Sequence, residues 1–163
     1  MFDLNMGVSL ESYLAKGASE ELARIEVAFS RTSCSAAFED AVRDMSKCTV
    51  KAFVELFCPD AAALLPYLRR IQEINDQIRL LLFPVKGNEV LLTNLTGSAK
   101  IPTLLIFDED GLPVGFYVEH PKAFKDRMAK LDRGARRNLL RDFREGELGE
   151  LIEKDLVRLL TIE

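Results

Sequence analysis

Apolar positions recur at helical spacing through the first 45 or so residues. Leu22, Ile25 and Phe29 fall at i, i+3 and i+7, on one face of a helix. Ser9 is placed to cap a first helix and Gly17 to stop it. Ser19 starts a second, with Glu20 and Glu21 in its first turn, and "SAAFEDAVRDM" continues in the same style. From Thr49 the texture changes. "TVKAFVELF" is β-branched and aromatic with little polar alternation, the pattern of a strand covered on both faces. A helix follows from Pro59, with Leu64, Leu65, Leu68, Ile71 and Ile74 recurring at three and four. "QIRLLLFPV" reads as the next strand, "NEVLLTNL" as a short helix and "PTLLIF" as a third strand. "DEDG" is a turn in which Gly111 is free to take positive φ, and "PVGFYVE" is the returning strand of a hairpin. From Pro121 the chain is helical and charged. It closes on an amphipathic helix along Leu148, Leu151, Ile152, Leu156 and Leu159.

The order is thus helices, then β-α-β-α-β-β, then helices. The β-α-β start implies a parallel strand pair joined by a right-handed crossover, and the hairpin adds an antiparallel edge. The expected fold class is α/β, a mixed sheet of about four strands flanked by helices. We expect a single domain over residues 1–163, made of a helical extension (1–48), a core (49–119) and C-terminal helices (120–163).

Hydrophobic residues make up 48% of the 163 residues, enough for a sizeable core. A net charge of −4 argues against a nucleic-acid partner, whose binder would be basic. No run approaches the 18 or so apolar residues that would cross a membrane. "MFDLNMGVSLESYL" lacks the basic start and apolar stretch of a signal peptide, so a cytoplasmic location is expected and "NLT" at Asn94 carries no weight as a glycosylation site. Three cysteines, Cys34, Cys48 and Cys58, make a disulfide framework improbable there. No two have C-x-x-C spacing and the sole histidine is His120, which leaves no metal site for one chain to build.

Cys58 carries the candidate chemistry. It follows a buried strand and precedes Pro59, and proline is favoured at the first helical position. Cys58 therefore belongs at a helix N-terminus, where free N–H groups and the dipole stabilise an anion. The thiol pKa is expected to fall below its free value of about 8.5, against the opposing charge of Asp60. On this ground Cys58 is expected to be the most reactive of the three thiols. The other reading is a small buried hydrophobe, a common fate of free cysteine. Two prolines add to the pattern. Pro66 lies inside the helix, where it removes a hydrogen bond. Ile101-Pro102 stands immediately before a strand, 44 residues after Cys58, and X-Pro is the kind of bond that can be cis.

"FVELF", Cys58, Pro66 and the Pro102 of "IPTLLIFDEDG" together resemble the thioredoxin superfamily, over roughly Thr49 to Glu119. The flanking helices resemble those of bacterial thioredoxin-like proteins bearing a WC-x-D-C motif, of which "FCPDA" is a degenerate C-x-x-A copy. The resemblance implies a thioredoxin-like fold, with Cys58 as nucleophile in a site shaped by Phe57, Pro59, Asp60, Ala61, Ile101 and Pro102, and with the Ile101-Pro102 bond cis and Pro102 against Cys58. Three departures stand out. Phe57 replaces the tryptophan before the nucleophile, Ala61 the resolving cysteine, and Ala52 the buried acid that assists proton transfer. Glu55 is the nearest carboxylate on that strand and a candidate proton acceptor.

Without a second sulfur at Ala61, a mixed disulfide on Cys58 must be resolved by an outside thiol such as glutathione. Two readings stay open. One is monothiol thiol-disulfide exchange with a protein or small-molecule thiol or disulfide. The other is a redox-inactive interaction module in which Cys58 is a relic. A third, an iron–sulfur cluster at a dimer interface as in monothiol glutaredoxins, calls for a basic glutathione site that the sequence does not display. Finally, residues 122–144 hold nine Lys/Arg against three Asp, a net of +6 in an acidic chain. This is either a solvated helical face or a docking surface for an acidic partner. His120-Pro121 reads as the boundary after the hairpin.

Overall fold

A computed structural model describes residues 6–162. The first five residues, at the head of the expected N-terminal extension, and the last lie outside the described residues. Four strands, β1 (Cys48–Phe53), β2 (Ile78–Phe83), β3 (Thr103–Phe107) and β4 (Pro113–Val118), form one sheet in the order β2-β1-β3-β4. β1 runs parallel to β2 and antiparallel to β3, and β3 pairs antiparallel with β4. This is the mixed four-stranded α/β sheet expected from the pattern.

β1 lacks alternation because both faces are covered. Val50 and Ala52 join the larger apolar cluster, while Phe53 joins a smaller one with Leu81, Phe83, Leu92 and Leu105. The Phe53 and Phe83 rings stack with centroids 4.9 Å apart. Lys51, on the same face as Phe53, sets its ammonium 4.3 Å from the centroid of the Phe107 ring, a cation–π contact. β1 ends earlier than its apolar run suggests. The expected strand reached Phe57, but after Phe53 only Val54 keeps a ladder contact, to the Phe83 carbonyl at 3.0 Å. The chain then turns, and the Cys58 N–H donates to the Glu55 carbonyl at 3.0 Å. At the other end Cys48, read from sequence as preceding the strand, is its first residue.

Among the described residues, eight helices surround the sheet. α1 (Leu10–Leu14) is capped by Ser9, whose Oγ accepts the Ser12 N–H. α2 (Ser19–Arg31) starts with the Glu21 carboxylate accepting the Ala18 N–H at 2.8 Å. α3 (Ala36–Arg43) is capped by Ser35. α4 (Pro59–Ile74) has Cys58 at its N-cap and Pro66 within it. α5 (Glu89–Thr96) ends on Gly97 at φ 85°, a left-handed cap that glycine adopts without a Cβ clash. α6 (Lys122–Ala129), α7 (Arg133–Arg144) and α8 (Gly149–Leu160) follow the hairpin, whose turn places Gly111 at φ 80° as expected. Ahead of α1, Val8 pairs with Leu82 on the otherwise open side of β2.

The larger cluster takes in residues from Leu10 to Leu160, so helices from both ends of the chain pack on one side of the sheet. α4 lies at its centre and is buried at every position from Asp60 to Leu68. The Ile101-Pro102 bond is cis, as expected.

α8 reaches α4 through a tight contact. A Cβ on Gly149 would lie 2.0 Å from the hydroxyl oxygen of buried Tyr67. Gly149→Ala is expected to cost about 1–3 kcal/mol by overpacking, read from urea unfolding. Tyr67→Phe in the same chain should recover most of the loss, since it removes the colliding atom. An unchanged midpoint in Gly149→Ala would show that α8 docks differently.

Candidate functional site

The site is built at the N-terminus of α4. Cys58 has extended backbone (φ −82°, ψ 120°), and its carbonyl accepts the first helical N–H, from Ala62 at 3.1 Å. Its Sγ lies 3.9 Å from the Ile101 carbonyl oxygen, within reach of a weak S–H donor, so the chain entering the cis proline faces the thiol. Pro102 is buried, and its carbonyl accepts the Glu119 N–H at 2.7 Å. The sequence-predicted neighbours Cys58, Pro59, Asp60, Ala61, Ile101 and Pro102 therefore come together. Phe57 leaves the core and is 58% exposed, with its carbonyl accepting from Arg24 Nη1 at 2.8 Å. Ala61 is fully buried behind the thiol, and Ala52 is fully buried in β1.

The expectation of a depressed thiol pKa is overturned. The Cys58 thiol is pushed up, first by burial and also by the Asp60 charge. The N–H groups of Ala61 and Asp60 and the charge of Arg144 act in the other direction but do not prevail. The dipole argument had the sign of the helix effect right and omitted desolvation, which is the larger influence for a half-buried thiol. The same cause acts on the other two thiols: burial pushes Cys34 and Cys48 up to about 11 each.

Glu55 does not reach into the site as a base. Its Oε1 accepts the backbone N–H groups of Val85 and Lys86 at 2.9 and 3.0 Å, which fixes the loop after β2. The carboxylate beside the thiol is Asp60. It is buried and forms a two-bond pair with Arg144, Nε to Oδ1 at 2.9 Å and Nη2 to Oδ2 at 3.1 Å. Burial alone would raise this carboxyl, but His120 and Arg144 together outweigh it and hold it below the usual range. His120 Nε2 stands 3.3 Å from Asp60 Oδ2, off the line of a good hydrogen bond, and Nδ1 stands 3.3 Å from Glu119 Oε1. The imidazole is wedged between Phe124 and Phe143, with ring centroids 4.5 and 5.1 Å away. Glu119 adopts left-handed backbone (φ 66°), an uncommon conformation for a side chain of this kind, where the chain turns from β4 to His120.

Reading His120 as a boundary therefore missed a component of the site. The signal available was that a lone histidine immediately follows an alternating strand. Arg144 was counted in the basic segment without a partner, and 84 positions separate it from Asp60. A cavity of about 670 Å³ opens on the far side of this network, lined by Asp60, Lys100, Glu119, His120, Lys125 and Arg144 among others. Among the described residues, no group of three or more His, Cys, Asp or Glu converges to hold a metal ion.

The fold agrees with a comparison of the chain to known families: a family model described as thioredoxin matches residues 7–134. The chain belongs to the thioredoxin family. Two solved structures share this thioredoxin-like fold. One is a protein of unknown function from Pseudomonas aeruginosa, 19% identical, with a TM-score of 0.81 over 96% of this chain and 93% of that one. The other is an HIV epitope-scaffold, 17% identical, with the same TM-score and coverage. A search of the curated proteins finds no match. No helix among the described residues is long and apolar enough to cross a membrane.

Two predictions follow from the opposing charges of this thioredoxin-family site. Asp60→Asn removes the carboxylate that disfavours the thiolate and leaves Arg144, so Cys58 should alkylate several-fold faster with iodoacetamide at neutral pH. Arg144→Ala should slow it. Equal rates in both variants would mean that Arg144 and Asp60 do not act on the thiol. The second concerns stability. The folded Asp60 carboxyl lies below its unfolded value of about 3.9, so its contribution is present above that pH and fades as pH falls through the folded value. Urea titrations should show the parent more stable than Asp60→Asn at pH 7, with the gap closing below about pH 4. A gap that persists at pH 2 would point to packing instead.

Proposed function

We propose that this thioredoxin-family chain carries out monothiol thiol-disulfide exchange through Cys58, with an outside thiol completing the cycle. The observation that carries this reading is the Cys58 Sγ at the α4 N-cap, 3.9 Å from the Ile101 carbonyl that leads into cis-Pro102. A substrate disulfide would lie along that backbone in an extended pose. The Cys58 thiolate attacks one substrate sulfur, forms a mixed disulfide and releases the other as a thiolate, which takes up a proton. An outside thiol such as glutathione then loses its proton and attacks the substrate sulfur. Cys58 leaves as a thiolate, and the outside thiol is left in a disulfide with the substrate. A second outside thiol releases the substrate, so two thiols are oxidised for each disulfide reduced.

Neither remaining cysteine is positioned to replace that thiol. Cys48 opens β1, about 17 Å of strand away from its C-terminal end, where the chain turns to Cys58. Cys34 sits beside Pro66 and Arg70, more than two helical turns along α4. A cytoplasm rich in small thiols would supply the resolving partner.

A second reading has its own observation. Burial raises the Cys58 thiol, and Ala61 and Ala52 fill with methyl groups the positions of the resolving sulfur and the buried acid. That combination suits a redox-inactive interaction module.

Ala61→Cys separates the two readings. With glutathione present, the parent should reduce a test disulfide, and Cys58→Ser should abolish this. Ala61→Cys should form a disulfide to Cys58 on mild oxidation and work without glutathione. A parent silent in glutathione would sink the monothiol proposal. If the variant is then active, the missing sulfur is the only defect. If it cannot close the disulfide, the interaction module stands.

A further inference from the structure

Two helices outside the thioredoxin-like core carry the same pattern of residues. α2 has Arg24, Val27, Ala28 and Arg31, and α7 has Arg137, Leu140, Arg141 and Arg144. Each set runs i, i+3, i+4, i+7, which places it on one helical face, arginine at both ends and an apolar residue between. The two faces meet across the first turn of α4. Pro59 and Ala62 join them there to line a cleft of about 490 Å³.

Charge in this cleft is one-sided. Five guanidiniums line it against one carboxylate, Glu145, in a chain whose net charge is −4. Arg24 donates to the Phe57 carbonyl, and Arg31 donates to the Arg144 carbonyl. Both bonds go to neutral acceptors, so they orient the cations without neutralising them. Arg144 is matched by Asp60. Among the described residues Arg141 meets only its sequence neighbour Asp142 at 3.2 Å, a pair between an exposed guanidinium and a half-buried carboxylate at the surface, where such a pair contributes little. Arg137 has no hydrogen bond or ion pair among the described residues. Val27, between the α2 arginines, is 56% exposed and lines the cleft, which leaves an apolar surface open between the cations.

We infer that this cleft binds a small organic polyanion. Its phosphate or carboxylate groups are held by the α2 arginines on one wall and Arg137 and Arg141 on the other, and its apolar body lies on Val27, Leu140 and Ala62. The planar guanidinium fork suits both kinds of oxyanion, and seven helical positions separate the end arginines by about 10 Å, so the ligand carries charge at both ends. A concave volume of this size suits a small ligand better than a protein surface. The basic segment thus splits by structure: Arg137, Arg141 and Arg144 turn into this cleft, while Lys122, Arg127, Lys130 and Arg133 stay outside it. Cys58 does not line the cleft, though Pro59 and Arg144 do, and the inference holds whether or not the thiol is active.

Calorimetric titration of the full chain at 150 mM salt tests it, with inorganic tripolyphosphate as the phosphate probe, citrate as the carboxylate probe and a twelve-residue polyglutamate as the macromolecular alternative. At least one small probe is expected to bind at one site per chain, and which one identifies the oxyanion. Arg137→Ala and Arg31→Ala should each weaken it about tenfold, with Arg137→Lys recovering only part of the loss. Lys130→Ala and Arg133→Ala, which remove the same charge outside the cleft, should change it little. Thermal melts of each variant separate lost binding from lost folding, and exposed Arg137, which has no partner, should leave the fold intact. The inference is overturned if neither small probe binds, if only polyglutamate binds, or if the outside variants weaken binding as much as the cleft variants.

Discussion

A helix that is apolar all round must be covered all round, and α4 is such a helix from Asp60 to Leu68. The sheet covers one side of it. The rest falls to helices on either side of the core in sequence, which is why the larger cluster runs from Leu10 to Leu160. α2 and α3 close over it from the N-terminal end and α7 and α8 from the C-terminal end. These flanking helices are therefore part of what keeps the central helix out of water, and Gly149 against Tyr67 shows how closely one of them approaches.

Covering α4 sets the chemistry at its N-terminus. A thiol at an open helix end would feel mainly the dipole and the free N–H groups, and both favour the thiolate. Here the surrounding helices withdraw solvent, and desolvation outweighs them. The same burial would drive Asp60 to its neutral form if it stood alone. Arg144 from α7 and His120 from the end of β4 keep it charged instead. Leaving such a carboxylate unpaired in the interior costs several kcal/mol, so the pair and the cover are needed together. The thiol consequently feels two opposed charges, the Asp60 carboxylate in the first turn of its own helix, which opposes ionisation, and the Arg144 guanidinium from α7, which favours it.

Most of the fold was legible from periodicity. The order of elements along the chain, the parallel pair and the hairpin with Gly111 follow from local pattern, and the cis bond before β3 from the place of the proline together with the thioredoxin resemblance. What was not legible depends on contacts distant in sequence. "TVKAFVELF" continues apolar past Phe53 because Val54 and Leu56 are buried in the turn, so hydropathy overshot the strand. Glu55 looked available because its partners, two backbone N–H groups 30 and 31 positions on, leave no side-chain signature. His120 and Arg144 could not be assigned for the same reason. One signal was present and underused. "PDAAALLPYL" puts three alanines and an aspartate on every side of the first turns of α4, which already says that the helix has no solvent face and that the aspartate requires a cation.

Arg144 joins the two halves of the molecule's chemistry. One edge of its guanidinium is fixed by Asp60 beside Cys58, and its side chain also lines the arginine cleft between α2 and α7. Across the cleft Arg24 does the equivalent on a neutral acceptor, holding the Phe57 carbonyl one residue before the thiol. An anion in the cleft would compete with Asp60 for Arg144. Any weakening of that pair leaves the Asp60 charge less compensated next to the sulfur, so the thiolate is disfavoured further. A ligand in the proposed cleft that drew Arg144 away would therefore lower the reactivity of the thiol. By reciprocity, such a coupling would make a thiolate or mixed disulfide at Cys58 change the affinity of the cleft by the same factor.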